Sequence, residues 1–407
     1  MLQGCQIMPT CGRHTGLMTD SPVMTGWAHS TFGKAAEPDV ESLLAGVTVR
    51  ALEHAEVEAA DVDGIFVGVF NSGFSQQGFD GGLVGVGQPS LGRTPSVHLE
   101  NACATGSAAL YAALDFVQSG RGKVALVAGA EKMTASSPEV VNNALLHASY
   151  RAEEEEAGSF AAIFGQLTEQ YFERYGDHSD TLARIAAKNH ANGIHNPFAH
   201  LRKDFGFEFC NTVSEKNPLV AGPLRRTDCS LVSDGAAAIV VTAADIAGSA
   251  PRAVGFRGRA HANDHLPLSK RADVLELAGA RDAFARAMAE AGTTLENLSL
   301  LETHDCFTTA ELLEYEAFGL AEPGKGATAI ENGRTARDGD LPVNPSGGLK
   351  SKGHPIGATG VSQHIMAAMQ LVGEAGDMQV EGAYVAGVFN MGGVAVANYF
   401  SVLERIA

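Results

Sequence analysis

Apolar residues cluster along this chain in two kinds of run. Ala-rich stretches of helical length predict helices over Leu43–Ala55, Ala104–Val117, Asp282–Ala291 and Ala358–Val372. Shorter runs of Val, Ala, Ile, Leu and Phe predict buried strands over Gly64–Phe70, Val124–Gly129, Ala236–Thr242, Leu298–Thr303, Ala383–Val388 and Val394–Tyr399. Helices alternating with buried strands predict an α/β architecture in layers.

The runs repeat. Ala125–Met133 reads like Ala383–Met391, 258 positions on, and Cys103-Ala-Thr-Gly106 reads like Gly357-Ala-Thr-Gly360, 254 positions on. Arg50–Ala55 with the strand after it reads like Arg286–Ala291 with its own strand. Three matches in one order predict a duplicated unit. At Gly235 and Gly393 the spacing falls to 158, so 100 extra residues lie between Met133 and Gly235 in the first copy. So long an insertion predicts a lobe with its own helices, at Val140–His147 and Ser159–Tyr175, placed to cover a site. The expected organisation is an irregular leader over 1–20, a first half from 21–133 plus 235–248, an inserted loop domain over 134–234, and a second half over 249–407.

Composition narrows the function. The 407 residues are 45% hydrophobic and 19% charged, enough for a large core and unlike a disordered chain. A net charge of −18 argues against nucleic acid as a partner, because phosphate contacts need clustered Lys and Arg. No apolar run reaches the roughly 18 residues of a membrane span, and the first residues lack the apolar core of a secretory signal. Cys5, Cys11, Cys103, Cys210, Cys229 and Cys306 are scattered with no CxxC pair. Free thiols in a reducing, cytoplasmic compartment are therefore expected, without disulfides or structural zinc.

Four places can carry chemistry. Cys103 sits where a strand gives way to a helix, flanked by small residues that admit a substrate. Unsatisfied N–H groups at a helix start favour a thiolate there, although a buried core cysteine fits the same position. His354 lies in the stiff turn Asn344–Gly360, which the repeat sets opposite the Cys103 turn, whereas a lone histidine reads as structural. His304 and Cys306 end a predicted strand, where ligand-binding residues of α/β sheets gather; with no second ligand pair suitably spaced, no metal is expected. Gly392 and Gly393, after Asn390, allow close backbone approach and an N–H toward an oxyanion, or simply a turn.

In order along the chain, the Ala102–Ser107 turn, the Gly353–Gly360 turn and the final glycine turn resemble the signatures of the thiolase family. His304-Asp-Cys-Phe307, Asp228-Cys-Ser230 and Ser233–Ala238 resemble its sterol-carrier-protein-type branch. The resemblance spans about Gly26 to the end. It implies a duplicated α-β-α-β-α core with an inserted loop domain, acyl-CoA and CoA as substrate and product, no other cofactor, and homodimers or homotetramers. It implies Cys103 as the acyl-accepting nucleophile and His354 as its activator. His304 with His354 would form one oxyanion hole, and the N–H groups of Cys103 and Gly392 a second. Where most of the family has a second cysteine this chain has Asn390, so the second acid/base falls to Cys306.

CoA is polyanionic, so an acidic protein needs local cations to hold it. Arg202, Lys203, Lys216, Arg225 and Arg226 in the inserted lobe are the candidates. Two other readings stand beside the thiolase one. A ketoacyl-synthase-like condensing enzyme also uses a Cys-His-His set. A non-catalytic acyl-CoA-binding scaffold would work with a small OB-fold companion protein.

Overall fold

A computed structural model describes residues 21–248 and 250–406; the leader expected at 1–20, with Cys5, Cys11 and His14, lies outside the described residues. In chain order the strands are β1 (Val23–His29), β2 (Gly64–Gly68), β3 (Ser96–Leu99), β4 (Val124–Glu131), β5 (Leu219–Ala221), β6 (Leu224–Arg225), β7 (Gly235–Thr242), β8 (Val254–Asn263), β9 (Leu300–Glu302), β10 (Val385–Gly392) and β11 (Ala397–Arg405). Nine of them form one mixed sheet in the order β3-β2-β4-β7-β1-β8-β11-β10-β9, and β5 pairs with β6 in a small hairpin. The large sheet is two half-sheets joined where Val23 and Met24 of β1 meet Gly255 and Val254 of β8.

The halves mirror each other about that joint. β2 is parallel to β4 and β4 antiparallel to β7, as β9 is parallel to β10 and β10 antiparallel to β11. The predicted strand at Val394–Tyr399 begins three residues later, at Ala397. Gly393 and Ala395 take positive φ of 64° and 50° and spend those residues on a tight turn. β3 is the strand expected to lead into the Cys103 turn, while β1 and β8 lie outside the predicted runs because Gly, Thr, His and Arg interrupt their apolar residues.

Strand periodicity explains the layers. Leu126, Ala128, Ala236, Ala238 and Val240 face one core with the helix Val40–Ala55, while Ala125, Val127, Ala237, Ile239 and Val241 face another with the helices Thr105–Gln118 and Ile356–Val372. Successive side chains point to opposite faces, so a strand covered on both sides must be apolar throughout. In the second half, Leu300, Ala386 and Val388 share that central core, while Leu301, Phe389 and Met391 face the helix Ala278–Ala291 and its neighbours. The result is the five-layer thiolase-like α/β fold.

Between β4 and β7 the chain forms helices Pro138–Leu146, Phe160–Tyr175, Ser179–Gly193 and Gly206–Asn211 with the β5-β6 hairpin. Its asparagines join it to the second half of the molecule. Asn189 Nδ2 donates to Asp305 at 2.8 Å, Asn192 Nδ2 to Asn344 O at 2.9 Å, and Asn196 Nδ2 to Ser346 O at 2.8 Å. Directional hydrogen bonds from these buried amide N–H groups fix orientation where an apolar contact would slide.

Candidate active site

The turn that presents Cys103 is held by its own backbone. Ala102 takes a positive φ of 49°, which costs a non-glycine residue about 1–2 kcal/mol. Hydrogen bonds from Ala104 N to Asn101 O (3.1 Å), Thr105 N to Ala102 O (3.0 Å) and Asn101 N to Thr105 Oγ1 (2.8 Å) hold it there. The helix Thr105–Gln118 begins two residues after Cys103. Gly106 lets the facing helix Ile356–Val372 approach: a Cβ there would lie 2.7 Å from Val361 N and 2.9 Å from Gly357 O.

That approach carries His354 to Cys103. Asp305 accepts from Leu349 N at 2.6 Å and Lys350 N at 3.1 Å, so the His304–Phe307 segment and the turn bearing His354 are tied together. Glu131, at the end of β4, accepts from Phe70 N (2.9 Å), Asn71 N (3.0 Å) and Gly357 N (3.0 Å), anchoring the same turn to the first half. Ser233 of the Ser233–Ala238 motif accepts from His354 N at 3.4 Å.

Cys103, His304 and His354 are all buried, and their ligand-type atoms lie within 4.8 Å of one another. The two imidazoles meet edge to face, with centroids 5.1 Å apart and planes at 83°. His354 Nδ1 is 2.7 Å from Thr359 Oγ1, whose own proton goes to Pro355 O at 2.9 Å. The Thr359 hydroxyl must therefore accept from Nδ1–H, which leaves a lone pair on His354 Nε2. His304 Nδ1 is 3.0 Å from Asn390 Nδ2. The Nε2 atoms of both histidines are buried without a partner.

Burial governs the charges. It pushes the Cys103 thiol up to about 12, against the lowering effect of the N–H that Gly393 donates to the sulfur. It holds His354 down at about 3, with the Lys352 ammonium acting in the same direction. Burial and the neighbouring His354 and Lys352 hold His304 well below the usual imidazole range. Cys306 is raised well above an ordinary thiol, by burial first and by Cys103 second. The expectation of a helix-stabilised thiolate at Cys103 is thus reversed: desolvation outweighs the N–H groups, and the resting thiol is neutral. The N–H groups on the sulfur are those of Gly393 and of Cys103 itself. Gly392 instead packs against the Cys103 turn, where a Cβ would lie 2.3 Å from Asn101 O.

Cys103, Cys306 and His354 line one cavity of about 190 Å³, walled by Met133, Leu145, Phe160, Val220, Leu231 and Phe307. The aromatic and aliphatic walls left no sequence signal beyond apolar character, because any core residue looks the same. Cys229 and Leu231 are shared with a second cavity of about 220 Å³, whose cations are Lys203, Lys216, Arg226 and Lys350. Three of the five expected lobe cations thus converge beside the thiols. Lys350 and the buried His190 join them, neither singled out by the sequence reading.

The other two cations are elsewhere. Arg225 is buried, its Nε 2.8 Å from Asp228 and its other nitrogens donating to Asn211 and Ser179 O. It serves the lobe's interior, because a guanidinium spent on a buried carboxylate is not free for a ligand. Arg202 donates to Ile194 O at 3.1 Å and does not line the basic cavity.

Comparison with known proteins places the fold in a family. Residues 22–207 match the family "Thiolase, N-terminal domain" and residues 260–405 match "Thiolase C-terminal domain-like". The acetyl-CoA acetyltransferase of Methanothermobacter thermautotrophicus is 35% identical over 93% of this chain and 98% of its own. Sterol carrier protein 2 of Oryctolagus cuniculus is 32% identical over 77% of this chain, which spans 60% of that protein. Among solved structures, the Ltp2-ChsH2(DUF35) aldolase superposes with a TM-score of 0.79 at 18% identity, covering 95% of this chain and 98% of that one. Human mitochondrial 3-ketoacyl-CoA thiolase in complex with CoA superposes at 0.73 and 14% identity, covering 96% and 99%. The fold, the two family matches and the long relative at 35% identity lead to one conclusion: this chain belongs to the thiolase family of acyltransferases.

Proposed function

We propose that this protein is an acyl-CoA C-acyltransferase that makes or cleaves 3-ketoacyl-CoA through an acyl group carried on Cys103. The observation that carries the reading is that two thiols and an imidazole, Cys103, Cys306 and His354, line one apolar cavity beside a basic one.

In the cleavage direction every proton has a place. Cys103 attacks the 3-keto carbon while its proton passes to the His354 Nε2 lone pair. The bond between the second and third carbons breaks, leaving an acyl group on Cys103 and an acetyl-CoA enolate. The enolate takes the proton of the Cys306 thiol and leaves as acetyl-CoA. Incoming CoA gives its proton to the Cys306 thiolate and attacks the acyl group; departing Cys103 recovers its proton from His354. The raised affinity of Cys306 for its proton suits a group that begins as an acid. The steps reversed form the bond. His304 has a ring nitrogen within 4.8 Å of the Cys103 sulfur and a His354 nitrogen and would stabilise the oxyanions, a role for which one preorganised donor contributes about 3–4 kcal/mol.

The second cavity fits CoA by charge, with Lys203, Lys216 and Arg226 toward its phosphates. The edge strand β3 leaves Val97 46% exposed, a template on which a second copy could pair to give the expected homodimer. The neighbour named for its DUF35 partner supports looking for a small companion protein as well. A ketoacyl-synthase-like enzyme has no need of the Cys306 thiol beside the nucleophile.

The test is mass spectrometry after mixing the protein with acetyl-CoA, followed by thiolysis of acetoacetyl-CoA. One acetyl group on Cys103 and turnover by the chain alone are expected. Labelling elsewhere would refute the nucleophile, and absence of turnover with or without a companion would favour the scaffold.

A further inference from the structure

We propose that Asn390 is a positioning residue that locks His304 in its Nε2–H tautomer, and that this makes the Cys103–His304–His354 cluster a site for an anionic oxygen and not for a metal ion. The catalytic consequence rests on the thiolase reading; the tautomer does not.

The cluster could be mistaken for a metal site. A thiol and two imidazoles lie within 4.8 Å of one another with both Nε2 atoms unpartnered, and one Cys with two His suits zinc or copper. A ligating nitrogen must offer a lone pair, so the other ring nitrogen must carry the proton and donate it to an acceptor. His354 meets that condition, since its Nδ1–H has the Thr359 hydroxyl.

His304 does not, and Asn390 is the reason. The Asn390 side chain reaches three groups: Cys103 O and His304 Nδ1, each 3.0 Å from Nδ2, and Ser107 Oγ, 2.8 Å from Oδ1. A carbonyl oxygen only accepts, so the atom facing Cys103 O must be the amide nitrogen. That nitrogen has two hydrogens. One goes to Cys103 O, and the other leaves His304 Nδ1 no role but acceptor. The single proton of the neutral ring therefore sits on Nε2, an atom buried with no other partner. Turning the amide over would set Oδ1 against the Cys103 carbonyl, an uncompensated repulsion inside the protein.

The two histidines thus hold opposite tautomers. His354 presents a lone pair and His304 an N–H. That pair takes up one thiol proton and stabilises one oxyanion, and it offers a cation one ligand nitrogen where it would need two.

Long-range proton–nitrogen spectra of the protein labelled with 15N-histidine read the tautomers directly. Wild type is expected to show His304 protonated at Nε2 and His354 at Nδ1. In Asn390→Asp the carboxylate accepts and should turn His304 to Nδ1–H. Turnover should then fall about 10²–10³-fold, the effect of losing one oxyanion donor, while Cys103 still reacts with iodoacetamide. With Co²⁺ added, that variant should gain a thiolate-to-cobalt charge-transfer band that wild type lacks. Wild-type His304 protonated at Nδ1, a cobalt band in wild type, or unchanged turnover in Asn390→Asp would each overturn the proposal. If the variant does not fold, the wild-type spectrum and cobalt titration still decide. Expected tautomers without acetyl transfer to Cys103 would sink the thiolase reading and leave the lock standing.

Discussion

A nucleophilic thiol that rests protonated must lose its proton during the attack. With Cys103 raised to about 12 and His354 held near 3, the resting pair is neutral and carries no preformed ion pair. The thiolate fraction then grows about tenfold per pH unit below the thiol's own pKa. Inactivation by iodoacetamide should therefore climb steadily from pH 6 to pH 9, and a plateau across that range would reveal a thiolate–imidazolium pair instead. Cys306 is tested separately. Cys306→Ala should still acquire an acyl group on Cys103 yet lose cleavage of 3-ketoacyl-CoA by about 10²–10⁴-fold, the usual worth of a general acid. Full cleavage in that variant would take Cys306 out of the mechanism. At this scale Cys103 and His354 were legible because small residues crowd around each. The ionisation of Cys103 was not, because the helix start argues one way and desolvation the other, and only burial decides between them.

Two elements, the helices Thr105–Gln118 and Ile356–Val372, determine whether Cys103 and His354 meet. Their contact is backbone on backbone at Gly106, where no flexible side chain can give way. Gly106→Ala should destabilise the protein by about 1–3 kcal/mol, as overpacking does, and reduce turnover more than it changes KM. Denaturant unfolding with steady-state kinetics would check both, and a variant with wild-type stability would show that the helices can separate without cost. The sequence repeat made this pairing predictable, since the two small-residue turns occupy equivalent places in the two copies. It did not reveal the carboxylates that hold them. Glu131 and Asp305 are ordinary acidic letters until the fold brings three and two backbone N–H groups, respectively, onto them.

For the whole molecule, the proposed function requires a protein of net charge −18 to hold a polyanion. Local cations achieve this when a cavity concentrates them. Lys216→Ala and Arg226→Ala should raise KM for CoA several-fold with kcat little altered, and the difference from wild type should shrink at high salt, where exposed charges are screened. Arg225→Ala should behave differently. It strands buried Asp228, so a loss of about 3–5 kcal/mol of stability is expected, read by thermal or denaturant unfolding. Unchanged stability there, or unchanged KM in the other two variants, would reverse the division between structural and ligand-facing cations.

The alternation of strands and helices, the duplication, the inserted lobe and the thiols and imidazoles that the fold brings together could all be read from the linear order of residues, because periodicity and motif spacing are local properties of a chain. The direction each group faces could not. Arg225 and Arg226 are neighbours in sequence, yet one is spent on a buried aspartate and the other opens onto a cavity. Which imidazole nitrogen holds its proton depends on Asn390 and Thr359, and how tightly each thiol keeps its own depends on how much water the surrounding layers exclude. Thr359 lies only five residues from His354, but Asn390 and the layers that bury the thiols are brought from distant parts of the chain.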